Sequence, residues 1–112
     1  MTVIVNVLIP AKTAENTPQT QYTSNGVKTI IDKFTATNYS GSAATISVNL
    51  VTLATAAGND NLITKTKTLQ PSETYTFPEI VGQVLNSGDF ISTSAGTASA
   101  INIRASGRQI SS

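Results

Sequence analysis

The side chains that most often do chemistry in proteins are scarce in this chain. Among its 112 residues there is no His and no Cys, and six residues are Asp or Glu. Without His the usual general base near neutral pH is missing, and a Ser-His-Asp triad cannot be built. Without Cys there is neither a thiolate nucleophile nor a thiolate metal site. The remaining scheme is a carboxylate pair of the kind that hydrolyses glycosides. Its candidates are Asp32, Asp60, Glu73, Glu79 and Asp89. All but Asp32 fall in or beside expected turns and a helix start, where carboxylates cap and brace the backbone. Three Tyr, three Phe and no Trp leave little to stack on a sugar. Gly58-Asn59-Asp60-Asn61 offers oxygens but lacks the spaced acids and closing Glu of a calcium loop. Asn38-Tyr39-Ser40 matches a glycosylation acceptor and is read as a turn. The expectation is a protein that is not an enzyme and takes no cofactor or metal.

The elements that would position these residues are written in Thr. The chain has 18 Thr, 12 Ser and 9 Asn, and many Thr alternate with aliphatic residues, as in Thr45-Ile46-Ser47-Val48-Asn49-Leu50. Such alternation describes strands with one buried face and one hydroxyl-covered face. Strands are expected at Thr2–Ile9 (ended by Pro10), Val27–Asn38, Ala43–Leu53, Leu62–Leu69, Thr74–Phe77, Phe90–Thr93 and Ala98–Ala105. Asp32 shares a face with Phe34 in strict alternation, which places it near a strand end or a bulge. The stretch from Asn38 to Leu53 reads as part of a hairpin. Lys65 and Lys67 mark Leu62–Leu69 as an edge strand, and Gly107–Ser112 reads as a polar tail. Pro78 to Leu85 reads as one short helix, with Glu79 near its positive end and Ile80, Val81, Val84 and Leu85 as its apolar stripe. The sum is all-β: a single antiparallel β-sandwich, immunoglobulin-like or jelly-roll.

Residues 1–26 separate as an N-terminal strand and a polar linker arm, and residues 27–112 as the sandwich domain. Ala11 to Gly26 is long for a connection, and Tyr22 is its one large apolar side chain. The strand either folds into its own sandwich or adds to the sheet of a neighbouring subunit. Charged residues make up 12% of the chain and the net charge is +1, with no basic cluster of the kind that neutralises phosphates, so no nucleic-acid partner is expected. No stretch is long and apolar enough to cross a membrane as a helix, and no export signal is recognised. Candidate partner contacts are Val3, Val5, Val7 and Ile9 on one face of the first strand, Tyr22 in the linker, and Arg104 and Arg108 near the C-terminus.

Several segments taken together carry a family resemblance. Thr29–Asn38 (TIIDKFTATN) runs into Ala43–Val51 (AATISVNLV), followed by Leu69–Tyr75 (LQPSETY), Phe77–Ser92 (FPEIVGQVLNSGDFIS) and Ala100–Gly107 (AINIRASG). This resembles the small virion proteins of tailed bacteriophages. The resemblance implies a β-sandwich without catalytic residues that decorates or cements the head, with the major capsid protein or other virion subunits as partners. It also implies a homo-oligomer, assembled in the host cytoplasm and resident in the virion. A tail, collar or fibre-attachment component is the alternative in the same class. A carbohydrate-binding or adhesive β-module is the alternative outside it.

Overall fold

The computed structural model describes residues 1–111. Nine strands follow in order: β1 (Thr2–Thr13), β2 (Gln19–Thr23), β3 (Lys28–Asn38), β4 (Ala44–Val51), β5 (Leu62–Leu69), β6 (Thr74–Tyr75), β7 (Val84–Leu85), β8 (Phe90–Ala95) and β9 (Ile101–Ser111). One sheet, sheet A, has the order β1-β9-β3-β6, with β7 also paired to β3. Sheet B has the order β2-β8-β4-β5. All strand pairs are antiparallel.

This strand order decides between the two sandwiches. β1 pairs with β9, β2 with β8, β3 with β6 and β4 with β5, so the chain is one long ribbon folded over, with β4–β5 at its tip. The ribbon then closes on itself through β3–β9 and β4–β8. That is a jelly roll. An immunoglobulin-like sandwich would instead keep sequence neighbours in one sheet as hairpins.

The core forms where the inner faces meet. Ile31, Phe34, Ala36, Ile101 and Ile103 from sheet A oppose Ile46, Val48, Leu69 and Ile91 from sheet B, all buried. Phe77 lies edge-on to Phe34 at 4.6 Å between ring centres and 4.7 Å from Tyr75, filling the side between β6 and β5.

Several sequence expectations are corrected. Pro10 does not end the first strand: β1 continues to Thr13, and Pro10 sits in a register irregularity between Ile9 and Lys12, where a ladder tolerates a missing N–H. Residues 1–26, expected as an N-terminal strand and polar linker arm, are built into this fold, since β1 forms an edge of sheet A and β2 an edge of sheet B of the same chain. β3 and β4 lie in different sheets, so they are not a hairpin. The segment 107–111 is no tail but the second half of β9; Ser112 lies outside the described residues.

No helix forms over 78–85. Ile80 and Val81 donate their amides to the Phe77 carbonyl and Gln83 to that of Ile80, giving two turns. Gly82 then adopts φ +91°, its N–H donates to Ile31 O at 2.7 Å, and Ile31 N–H donates to Gln83 O at 3.0 Å. The backbone bonds a helix needs internally are thus given to β3, and Val84–Leu85 becomes β7.

The expected bulge is present. β3 shifts register against β9 between Ile31 and Lys33, at Asp32. The extra residue resets the alternation, so Ile31 and Phe34 both point inward while Asp32 turns to the surface.

Candidate interaction surface

Directly opposed residues of antiparallel strands share a face. Phe34, Ala36, Ile103 and Ala105 face the core, so their alternates face away from sheet B. Register places Val5, Arg108, Ile30 and Val84 in one row across β1, β9, β3 and β7 on that outer face. The flanking rows are Val3, Ile110 and Lys28, and Val7, Ser106 and Lys33. Val5 is 80% exposed and Val84 52%, while Ile30 and Ile110 are half-buried. Tertiary structure therefore gathers an open apolar patch from four strands at one end of a molecule measuring 46 × 26 × 20 Å.

Of the charges on this face, Arg108 is paired within the chain, while Lys28, Lys33 and Arg104 enter no ion pair among the described residues. Arg108 donates from Nε to both oxygens of Asp32, at 3.2 and 3.0 Å, and from Nη2 to Oδ1 at 2.9 Å. This fork raises the Arg108 pKa, first through the hydrogen bonds and then through the carboxylate's charge. Both side chains are substantially exposed, so the pair positions more than it stabilises.

Five of the seven candidate contacts thus fall on one surface: Val3, Val5 and Val7 beside Arg104 and Arg108, all on the outer face of sheet A. The other two lie elsewhere, Ile9 in the core and Tyr22 half-buried against it. A register shift between Val7 and Ile9 moves Ile9 to the core face opposite Ala105, fully buried. The Tyr22 hydroxyl sits 2.7 Å from Thr29 Oγ1 and accepts from Gln109 Nε2 at 2.8 Å, tying β2 of one sheet to β3 and β9 of the other. The Ser24 hydroxyl extends this network to Thr29 and to the Val27 carbonyl. Ile30 and Val84 are patch residues that sequence reasoning missed. Strict alternation put Ile30 on the Phe34 face, and Val84 was assigned to a helix.

β1 is also a free edge. It pairs with β9 on one side only, and its exposed residues extend to both faces, with Ile4 on the inner side 52% exposed. Asn6 braces this segment, its Oδ1 accepting from Val7 N–H at 2.9 Å and its Nδ2 donating to Gln109 Oε1 at 3.1 Å. A cleft of about 330 Å³ lies nearby, lined by Met1, Gly26, Val27, Lys28, Ser87 and Ile110 among others.

The carboxylates are engaged elsewhere. Glu73 accepts from Gln70 N–H, and Asp89 from the amides of Leu53 and Asn86, bracing turns. Asp60 lies in a 3-10 turn, Asn59–Asn61, where Asn61 accepts from Gly58 N–H and donates to Ala56 O. Asn38 is buried, its amide donating to the Ser42 and Leu69 carbonyls. Glu15 accepts from Gln21 and Lys12, which lower its pKa to about 2. Glu79 accepts from the hydroxyl of Thr64 and from that of Tyr75, at 2.5 and 2.6 Å, joining β5 to β6 across the sandwich. Burial raises the Glu79 pKa, but the two hydroxyl bonds, its backbone bond and the charge of Lys67 outweigh it, and the net shift is downward. The same bond pushes the Tyr75 pKa up to about 12. Lys67 lies 4.7 Å from the centre of the Tyr75 ring. Among the described residues no three acidic side chains converge into a cluster that would hold a metal.

Comparison with family models, with curated proteins and with solved structures finds no match to the chain.

Proposed function

We propose that the protein is a non-enzymatic structural subunit of a tailed-bacteriophage particle, a head decoration or cement protein that seats the outer face of sheet A on the major capsid protein. The observation that carries this reading is the open row of Val5, Arg108, Ile30 and Val84, an exposed apolar strip flanked on the same face by Lys28, Lys33 and Arg104. Jelly rolls serve as viral capsid domains and as lectins, and the fold alone does not choose. A sugar site would need aromatic stacking, and among the described residues Tyr39 is the one aromatic with a large exposed side chain.

The test is copy number in purified particles by quantitative mass spectrometry. Hundreds of copies on the head are expected. Copies in a multiple of six or twelve at one end would move the protein to the tail or collar, and absence from any particle would overturn the reading. Val84→Lys and Arg104→Glu, both on the outer face, are expected to weaken binding of the purified chain to undecorated heads.

A further inference from the structure

A sandwich of two open sheets has four edges, and here they differ sharply. β5 carries Lys65 and Lys67 and is twisted by Thr66 at φ +49°. β6 and β7 are two residues each. β2 is five residues, polar apart from Tyr22, and is broken by a register shift between Thr20 and Tyr22. Lysines, bulges and shortness are the usual protections against edge-to-edge pairing. β1 has none of them before Val7: from Thr2 to Val7 it is regular, without charge or proline, and its Val and Ile side chains are exposed.

We propose that β1 is the self-association edge of this protein. Two copies pair antiparallel over Val3–Val7, with Val5 on the two-fold axis, joining their five-stranded sheets A into one continuous sheet. The occupant is a second copy because the segment is complementary to itself. An isologous pair about an axis perpendicular to the sheet keeps each residue on its own face. Centring on Val5 sets Val3 against Val7 of the second copy and Val5 against Val5, so three valines from each chain close into one outer-face cluster. Ile4 meets Asn6 on the inner side. The stretch holds no charge to be desolvated or set against its like, and the nearest charged pair, Arg108 with Asp32, is already closed within each chain. A five-residue edge buries less than the ~800 Å² per partner of a standard interface, so the dimer is weak.

The inference stands apart from the virion reading, because it is tested on the purified full chain. Sedimentation velocity from micromolar to millimolar concentration is expected to show a monomer–dimer equilibrium. Val5→Lys places two ammonium groups on the axis and is expected to weaken the dimer at least about tenfold. Val5 is 80% exposed, so this variant is expected to keep its thermal midpoint. Val84→Lys, on the same face but away from the edge, is expected to leave the dimer intact. Val5→Cys supplies a positive reporter, since the chain has no other cysteine. Opposed Cα atoms ~4.5–5.5 Å apart lie within the range a disulfide spans, so mild oxidation is expected to yield a covalent dimer. A monomer at all concentrations, or a dimer that Val5→Lys leaves unchanged and that Val5→Cys does not cross-link, would overturn the proposal.

Discussion

Gly107→Ala tests how closely the two central strands of sheet A approach. Gly107 lies on β9 opposite Asn6 of β1 and Ile31 of β3, and its side faces the core. A Cβ built there would stand 2.1 Å from the Ile30 carbonyl oxygen, 3.2 Å from its carbon and 3.0 Å from a Leu8 methyl. The backbone is not in the left-handed region, so the demand for glycine is purely one of space. Restoring an ordinary 3.4 Å contact from 2.1 Å requires about 1.3 Å of movement. The obstacle is backbone held in a ladder, not the end of a flexible side chain. Overpacking of this kind costs roughly 1–3 kcal/mol, and stretching one or two ladder hydrogen bonds adds about 1 kcal/mol each. The expected loss is therefore about 3 kcal/mol. For a domain of this size that lowers the thermal midpoint by roughly 12 °C, at about 4 °C per kcal/mol. Urea denaturation and calorimetry at fixed protein concentration measure it. Gly41→Ala is the matched control: its Cβ meets nothing within 4 Å, and its φ is not positive. Reduced freedom of the unfolded chain should make that variant neutral or more stable by about 0.5 kcal/mol. If Gly107→Ala costs less than about 1 kcal/mol, or no more than Gly41→Ala, the close approach of β9 to β3 is wrong.

Two further outcomes follow from the polar contacts. The Glu79 pKa is lowered in the folded state, so its contribution to stability is present above the unfolded carboxyl value and is lost as pH falls through the folded value. Glu79→Gln is expected to lower stability at neutral pH and to flatten the decline on the acid side, read from urea midpoints taken between neutral pH and the carboxyl range; an unchanged acid slope would place that carboxylate outside the Thr64–Tyr75 bridge. Tyr22→Phe removes the hydroxyl shared by Thr29 and Gln109 and should cost about 1–2 kcal/mol of stability, with the dimer constant unaltered; a change in association without a change in stability would return Tyr22 to the surface as a contact.

What could be read in advance was governed by local rules. Thr45–Leu50 alternates cleanly, and β4 lies there with Ile46 and Val48 inside. The bulge at Asp32 was legible because a carboxylate beside Phe34 cannot be carried into a core. β2 was not legible, because Gln19–Thr23 is polar apart from Tyr22 and is a strand only by virtue of β8 beside it. The helix at 78–85 satisfied the local pattern and failed because β3 competes for the same backbone groups. Of the candidate interaction surface, Val3, Val5, Val7, Arg104 and Arg108 were legible singly. Their gathering on one face was not, since it depends on the register of β9 between β1 and β3.

By itself the sequence determined the all-β class and the poverty of catalytic groups, because both follow from residue types and a two-residue period. Only the tertiary structure decided that the sandwich is a jelly roll, that Ile9 is in the core and Tyr22 packs half-buried against it while Ile30 and Val84 lie on the outer face, and that β1 is the unprotected edge. The physical reason is that alternation states which side chains share a face of one strand. Which strands lie side by side, and where a bulge exchanges the faces, is settled by the pairing of backbones far apart in the chain.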